Sequence, residues 1–355
     1  MHFFLFFALS IVVVTNFLAV RFWLTHSILG KKYSWMLFWL VSGCEAVYFS
    51  TLRFDILPQW LSQWLAASQG VTLAWLCSLL LFLPFMRLTN ANRFADALLG
   101  ATIVYLTVSV YIAHEPPVIA SYSIEIPSLQ KSMRACVVAD VHLGQGRGVE
   151  YAHLLVGQIN ALAPDIVLIA GDLADGNLAK LKPILEPLSG IKAPAEIYVS
   201  LGNHEYYRDD TQQLIEYLKT LGMHTLINEN IKLENGLVLV GVADLAGERT
   251  GKLLPDYKKA FESVESGAVV MSHQPRQSEE LLRYHPSLII SGHTHGGQIF
   301  PFGLLVRFVQ PYLHGLYKIQ DGTQIFVTQG VGWWGPPMRI GTHAEIGLLT
   351  LQPAK

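Results

Sequence analysis

The chain has 355 residues, of which 51% are hydrophobic and 15% charged. This length exceeds that of one average domain, and the apolar excess excludes an ordinary soluble globule over the whole chain. The formal net charge of −2 disfavours nucleic acid as a partner, because binding to phosphate backbones requires a basic face.

The N-terminal third contains four apolar stretches, each long enough to cross a bilayer as a helix, which takes about 20 residues. They cover about residues 3–20, 35–51, 71–86 and 94–113. The sequence therefore predicts a transmembrane region of four helices in residues 1–114. It also predicts a multi-pass integral protein of a bacterial inner or cytoplasmic membrane, with the lipid bilayer as a partner.

Basic residues between these stretches indicate an orientation. The first and third connections hold five of them and the second holds one: Arg21, Lys31, Lys32, Arg87 and Arg93 against Arg53. The positive-inside rule then predicts that the rest of the chain lies outside the cytoplasm. Glu45 lies within the second stretch, and a protonated or paired carboxyl is favoured there over a transport pathway.

The composition changes after residue 114. Glu115, Pro116 and Pro117 end the helical pattern, and residues 115–134 are predicted to form an extended connector. Short apolar runs then alternate with helical segments through residues 135–355, which predicts an α/β domain. The runs are Ala135–Ala139, Ile166–Ala170, Ile197–Leu201, Ala268–Met271 and Leu288–Ile290.

Polar residues that suit a metal follow each of these runs. They are Asp140 and His142, Asp172 and Asp175, Asn203 and His204, His273, and finally His293 and His295. Asp, Asn and Gly are common turn residues, so each short motif alone has an equally good structural interpretation. Because the carboxyl ends of strands in an open α/β sheet meet at one edge, the whole series predicts one site.

In chain order these residues lie in five motifs. The motifs are Asp-Val-His-Leu-Gly (140–144), Gly-Asp-Leu-Ala-Asp-Gly (171–176), Gly-Asn-His-Glu (202–205), Ser-His-Gln-Pro (272–275) and Gly-His-Thr-His-Gly-Gly (292–297). The series resembles the calcineurin-like metallophosphoesterase superfamily over about residues 135–350. This resemblance implies a four-layer αββα sandwich and hydrolysis of phosphate esters at two divalent metal ions.

The resemblance also implies a role for each residue. Asp172 would bridge the two ions. The remaining ligands would be Asp140, His142 and His295 for one ion, and Asn203, His273 and His293 for the other. Oxygen and imidazole ligands favour manganese, with iron, zinc or cobalt as alternatives. A water between the ions would supply the attacking hydroxide, His204 would act as general acid, and Asp175 would orient His204.

The segment Gly330–Arg339 indicates a substrate class. It resembles a signature of the membrane-associated bacterial branch that includes YkuE-like and YaeI-like phosphodiesterases, which implies a phosphodiester or pyrophosphate in a lipid-linked or amphiphilic substrate. Trp333 and Trp334, with Phe302, are predicted to form an apolar lip, although packing beneath a loop fits these rings equally well. Arg339 is predicted to pair with a second phosphate.

Two alternatives of function remain from the sequence. One is a UDP-2,3-diacylglucosamine pyrophosphatase of lipid A synthesis, and the other is an inactive membrane receptor or scaffold, which the complete ligand set disfavours. Asp244 is predicted to be structural or to lie just outside the metal ligands. Glu205 is predicted to make no direct metal contact, and the oligomeric state is left open.

Overall fold

The computed structural model describes residues 13–19, 21–22, 30–51, 61, 65, 68–72, 74–75, 91–144 and 146–354. The chain divides into two compact units. Unit 1 contains residues 1–114 together with 335–340, and unit 2 contains residues 115–334 together with 341–355.

The described parts of unit 1 within residues 1–114 are almost entirely helical, whereas residues 335–340 are not helical. Its two long helices are α1 (Gly30–Thr51) and α2 (Ala91–His114), and residues 13–19 are also helical. Glu45 on α1 is fully buried and accepts hydrogen bonds from Asn16 Nδ2 at 3.1 Å and Thr72 Oγ1 at 2.5 Å. Asn16 Nδ2 also donates to Ser42 Oγ at 3.0 Å. The buried carboxyl is therefore held inside a cluster of polar side chains.

The predicted transmembrane region is corrected by this structure. Within the described ranges, no helix combines the length and the apolar character that crossing a bilayer requires. The predicted four-span fold and integral-membrane localisation are therefore wrong, and the extracytoplasmic placement loses its basis. The prediction rested on counts of apolar residues along the chain, and such counts do not establish one continuous helix of the required length and apolar character. Residues 3–12 and 20 of the first stretch, and residues 73 and 76–86 of the third, lie outside the described residues.

Unit 2 is built on two six-stranded mixed sheets. The first has the order β1-β12-β2-β3-β4-β5, in which β2 to β5 are parallel, β1 is parallel to β12 and β12 is antiparallel to β2. Its strands are β1 (Val118–Ile126), β2 (Met133–Val138), β3 (Ile166–Ala170), β4 (Ile197–Ser200), β5 (Met223–Thr225) and β12 (Glu345–Pro353). The predicted connector thus contains β1, which pairs with the last strand of the chain.

The second sheet has the order β10-β11-β9-β8-β7-β6, with β7, β8, β9 and β11 parallel and an antiparallel strand at each edge. Its strands are β6 (Glu229–Lys232), β7 (Val238–Gly241), β8 (Val269–Met271), β9 (Leu288–Ser291), β10 (Gly315–Lys318) and β11 (Gln324–Val327). The five predicted apolar runs correspond to β2, β3, β4, β8 and β9.

The helices described in unit 2 are α3 (Val149–Ala161), α4 (Leu178–Leu185), α5 (Asn203–Tyr206), α6 (Thr211–Thr220), α7 (Ala246–Thr250), α8 (Tyr257–Ala260), α9 (Ser278–Leu281) and α10 (Gly303–Val306). Of these, α3, α4 and α6 pack on the first sheet, and α8 and α9 pack on the second. Five short 3₁₀ turns occupy Glu186–Gly190, Pro275–Gln277, Leu282–Tyr284, His295–Gly297 and Gln320–Gly322 in the described residues.

Three buried layers hold unit 2 together. Val137 and Leu168 of the first sheet pack against Met271 and Ile290 of the second, which makes the layer between the sheets. A second layer joins the first sheet to α3, α4 and α6, and a third joins the second sheet to α8 and α9. Strands buried on both faces are continuously apolar, which is why the sequence pattern located them. The α/β part of the predicted fold is confirmed.

Candidate metal centre

The loops that follow the parallel strands hold the candidate ligands in an unusual backbone conformation. Five candidate ligands have φ in the left-handed region, between 49° and 69°: Asp140, His142, Asp172, His293 and His295. This conformation costs a residue other than glycine about 1–2 kcal/mol. Several such residues cluster where the surrounding structure imposes the strain, which is typical of functional sites.

One group of side chains consists of Asp140, His142 and His295, all buried, with ligand atoms close enough to share an ion. His142 Nε2 lies 3.1 Å from His295 Nε2, and His295 Nε2 lies 3.5 Å from Asp140 Oδ1. His142 Nδ1 lies 2.9 Å from Asp175 Oδ2, so its proton sits on Nδ1 and Nε2 is free to coordinate. Burial raises the pKa of Asp140, which a neighbouring cation would reverse.

A second group consists of Asp172, His273 and His293. His273 Nδ1 lies 2.9 Å from the Ala170 carbonyl, which only accepts, so Nδ1 carries the proton. His273 Nε2 lies 3.2 Å from Asp172 Oδ2 but not in hydrogen-bond geometry. Burial alone would raise the pKa of Asp172, but His273 and then His204 outweigh it and hold that pKa well below its usual range.

Glycines let the loops that carry the second group approach each other. A Cβ at Gly171, where φ is +89°, would enter the ring of His273, and a Cβ at Gly202 would enter the carboxylate of Asp172. The glycine before Asp172 therefore provides both the positive φ and the space for the histidine ring.

His204 and Asp175 lie beside both groups. His204 Nδ1 is 2.6 Å from Asp175 Oδ1, and His204 Nε2 is 3.9 Å from Asp172 Oδ2. Burial opposes a charge on His204, but Asp175 and then Asp172 outweigh it and raise its pKa to about 10. The same carboxylate of Asp175 thus holds His204 and the candidate ligand His142. His204 also forms a third possible ligand group with His142 and Asp172.

Glu205 has a role that the sequence analysis missed. Its buried carboxylate accepts backbone N–H groups from Asp172 at 3.1 Å, Ala174 at 3.1 Å and Gly202 at 2.8 Å. It therefore holds the loop after β3 against the loop after β4. The spacing of Glu205 three residues after Gly202 is that of a helix-capping carboxylate, and this signal was present in the sequence.

Asp244 lies at the end of β7 and does not belong to the ligand groups found among the described residues. Gln274 Nε2 donates to both of its carboxylate oxygens, at 2.8 and 3.0 Å, and the backbone N–H of Ala246 donates to Oδ1 at 2.7 Å. Gln274 directly follows His273, so Asp244 supports the segment that carries this histidine.

The three predicted substrate residues lie in different environments. Trp333 is buried, with Arg147 stacked over its ring at 3.6 Å. Trp334 is 54% exposed, and its backbone N–H and carbonyl both pair with the Gln298 side chain at 2.8 Å. Arg339 is fully buried, belongs to unit 1 and donates its backbone N–H to Ser109. Substrate contact by these residues stays a prediction.

The donor set fits divalent ions. Within the described part of the chain, two buried atoms of the candidate ligands, Asn203 Oδ1 and His273 Nε2, lack a hydrogen-bond partner. Such atoms are costly unless something binds them, and both are good ligands for a divalent transition metal. With the carboxylates and imidazoles around them, they match the two ion positions that the resemblance implies.

Comparison with known proteins agrees with this geometry. Residues 133–297 match the family model for calcineurin-like phosphoesterases. A Helicobacter pylori (strain J99) metallophosphoesterase is 37% identical over 275 residues, which cover 77% of this chain and 74% of that protein. A Campylobacter jejuni metallophosphoesterase is 34% identical over 80% of this chain and 78% of its own length. A transmembrane protein with metallophosphoesterase domain from Danio rerio is 32% identical over 84% of this chain and 76% of its own length.

Relatives of this similarity and coverage, together with the family match, identify the domain whose loops carry the candidate ligands. The family implies a dinuclear divalent-metal site, which the side chains described above can provide. The chain belongs to the calcineurin-like phosphoesterases and is a metal-dependent phosphoester hydrolase.

Proposed function

We propose that this enzyme hydrolyses phosphodiester or pyrophosphate bonds in an amphiphilic substrate, with His204 as the general acid. The observation that carries the substrate class is a solvent-exposed apolar segment that starts directly after the ligand loop of His293 and His295. Residues 300–309, together with Trp334, form this surface, which we call the apolar flank.

The residues of the site divide into two sets of ligands. Asp172 would be shared. Asp140, His142 and His295 would hold one ion, and Asn203, His273 and His293 the other. Bound ions supply Lewis-acid charge to the phosphoryl oxygens and acidify water. Manganese is the first candidate, because the donors are oxygens and imidazoles without a thiolate in the ligand groups.

His204 would give a proton to the leaving oxygen. Its Nδ1 is held by Asp175 at 2.6 Å, which fixes the ring and leaves Nε2 directed to the side of Asp172. A ring held by one nitrogen and free at the other can give a proton to the leaving oxygen. Asp175 has a positioning role, because it touches His204 and His142 through its two oxygens.

The apolar flank is well suited to acyl chains. Phe308 is 85% exposed and Phe300 is 63% exposed, and α10 between them buries none of its four residues. Gln298 ties Trp334 to the segment through two hydrogen bonds, so the ring lies on the same loop cluster as the ligands. Large exposed apolar patches commonly mark binding surfaces. The proposed partner is thus a phosphate ester with acyl chains, in a bilayer surface or dispersed.

The narrower assignments rest on this same flank. UDP-2,3-diacylglucosamine combines a pyrophosphate with acyl chains, so it is a suitable natural substrate to test. Such lipids are the substrates expected if the protein belongs to the YkuE-like and YaeI-like branch. An inactive receptor or scaffold is disfavoured, because a site without function would not preserve a ligand set with strained backbone at five positions.

Two phosphodiesters that share a head group test the proposal. One carries long acyl chains and the other short ones, and both are offered to the full chain with added Mn²⁺ in the same detergent. Replacing Phe308 and Trp334 together by serine should lower kcat/KM for the long-chain ester by about 10²- to 10⁴-fold, because each of the two rings contributes about 1.5–3 kcal/mol when acyl chains bury it. The short-chain ester should be hydrolysed nearly as before.

Trp333→Ser is the matched control, because this ring is buried against Arg147. It should lower the melting temperature and reduce both activities together. An equal loss on both esters in the Phe308 and Trp334 variant, with an unchanged melting temperature, would remove the acyl-chain proposal and leave the hydrolase assignment intact.

A further inference from the structure

Arg147 is a buried cation that lies between two aromatic rings. It is 3% exposed, and its guanidinium carbon lies 3.6 Å from the centre of the Trp333 ring and 4.2 Å from that of Tyr151. Burial lowers the pKa of Arg147 to about 10, so it stays charged at neutral pH. The rings hold the guanidinium plane in place through cation–π contact.

This cation has no carboxylate partner among the described residues. Its Nε and Nη2 atoms are buried without a hydrogen-bond acceptor in the same part of the chain. The Tyr151 hydroxyl and the two rings offset part of the cost of burying this charge. A buried cation without a counter-ion is still unfavourable, which indicates that an anion pairs with the free Nε and Nη2. Arg208 also has two buried nitrogens, Nη1 and Nη2, without a hydrogen-bond acceptor, but it differs in that its guanidinium forms an ion pair with Asp210 at 2.8 Å.

Hydrogen bonds connect the loop of Arg147 and the ring of Tyr151 to the segments that carry the metal ligands. Tyr151 Oη donates to the carbonyl of Val331 at 2.7 Å, and the next residue, Gly332, donates its N–H to the carbonyl of Asp140 at 2.8 Å. Trp333 follows Gly332 directly. Arg147 itself lies five residues after the ligand His142, in a loop closed by reciprocal backbone hydrogen bonds with Gly144 at 3.0 and 3.2 Å. The unpaired guanidinium therefore belongs to the same loop cluster as the ligands.

We propose that Arg147 binds a second anionic group of the substrate, so that the preferred substrates are pyrophosphate diesters or phosphodiesters with a further anion beside the scissile phosphate. A planar guanidinium with two free N–H groups matches the oxygens of a phosphoryl group. The inference rests on the proposed function and narrows it. It gives to Arg147 the role that sequence analysis gave to Arg339, which lies in unit 1.

Two soluble compounds test this. Bis(p-nitrophenyl) phosphate carries one negative charge, and UDP-glucose carries a pyrophosphate with two. Arg147→Met should lower kcat/KM for UDP-glucose, or its affinity as a competitor of the nitrophenyl ester, by about 10- to 100-fold. The reason is that the substitution removes hydrogen bonds to a charged group. Turnover of bis(p-nitrophenyl) phosphate should change less than about threefold. Arg147→Lys should give an intermediate loss, because it keeps the charge without the planar fork.

Lys182→Met is the control for the loss of one cation on an aromatic ring, because Lys182 lies over the ring of Tyr217 at 5.4 Å. It should leave both compounds unaffected. The melting temperature provides a second readout. Arg147→Met should keep or raise it without ligand, because a buried unpaired charge is removed, and should abolish the upward shift that UDP-glucose causes in the wild type.

A lower melting temperature with parallel loss on both compounds would overturn the proposal and make Arg147 a packing residue. A wild type that does not hydrolyse the nitrophenyl ester would instead remove the proposed function. In that case the rise in melting temperature caused by UDP-glucose still tests the proposal. An equal rise in wild type and Arg147→Met, or no rise in either, would overturn the role of Arg147.

Discussion

The two units of this protein bury polar groups in opposite ways. In unit 1 the carboxylate of Glu45 is surrounded by Asn16 and Thr72, which donate to it. In unit 2 two ligand atoms, Asn203 Oδ1 and His273 Nε2, are buried with no hydrogen-bond partner in the described chain. A polar cluster whose groups satisfy one another stabilises or specifies packing, whereas buried groups that lack partners indicate that something else binds there.

The difference between the two units predicts different responses to substitution. The largest loss of activity is expected at Asp172, the ligand that both ions would share. Asp172→Ala should reduce hydrolysis of bis(p-nitrophenyl) phosphate below detection, because both ions lose a ligand and the nearby histidines lose their counter-charge. Metal content measured by elemental analysis should fall together with activity. Asp256→Ala, which removes a carboxylate that caps a short helix, is the control and should retain both. Full metal content in Asp172→Ala would contradict the assignment.

The next effect separates proton transfer from metal binding. His204→Ala should keep its metals and lose about 10²- to 10⁴-fold in turnover of an alkyl phosphodiester, the range for a positioned proton donor. A nitrophenyl ester, whose leaving group needs no proton, should lose less. Loss of metal in this variant would make His204 a ligand, in line with its proximity to His142 and Asp172.

The strands of unit 2 could be predicted from the sequence, because strands that are buried on both faces are short apolar runs with a clear end. Ile166–Ala170 is the same strand in prediction and structure, and the polar residues after the runs do converge in space. Pairings distant in sequence were not accessible, such as β1 with β12, since a local pattern does not state its partner. The same limit hid Arg147, whose significance depends on two rings and on the acceptors that it lacks.

Unit 1 was predicted less well, for a related reason. Its apolar content predicted four membrane spans, whereas no described helix has the length and apolar character that crossing a bilayer requires. The hydrogen bonds of Glu45 join residues 27 and 29 positions apart, so the sequence alone did not show that this carboxyl has partners.

An effect of intermediate size on stability and metal affinity is expected at Glu205. Its carboxylate has hydrogen-bond partners, yet it lies beside ligands whose atoms lack them. Glu205→Ala should destabilise unit 2 by about 1–3 kcal/mol for each buried N–H left without an acceptor. Its metal affinity should fall by about 10- to 100-fold, because the loop of Asp172 loses its support. Titration of metal against activity measures this. Asp165→Ala, which removes a carboxylate that accepts only the Arg134 N–H in the described chain, should change stability without changing metal affinity.

The smallest effect is expected at Glu45, where the satisfied cluster should matter for stability and not for catalysis. Burial raises the pKa of Glu45 to about 7, although Thr72 and Asn16 oppose this by donating to its carboxylate. An unfolded glutamate titrates near 4.5, so the folded state holds the proton more tightly. The stability that this proton contributes is therefore fully present below about pH 4.5 and is lost as the pH rises to about 7 and beyond. Glu45→Gln should remove this part of the pH dependence of the melting temperature and leave kcat/KM unchanged. A variant with normal stability but altered hydrolysis would show that the cluster in unit 1 acts on the reaction, and the contrast between the two units would then fail.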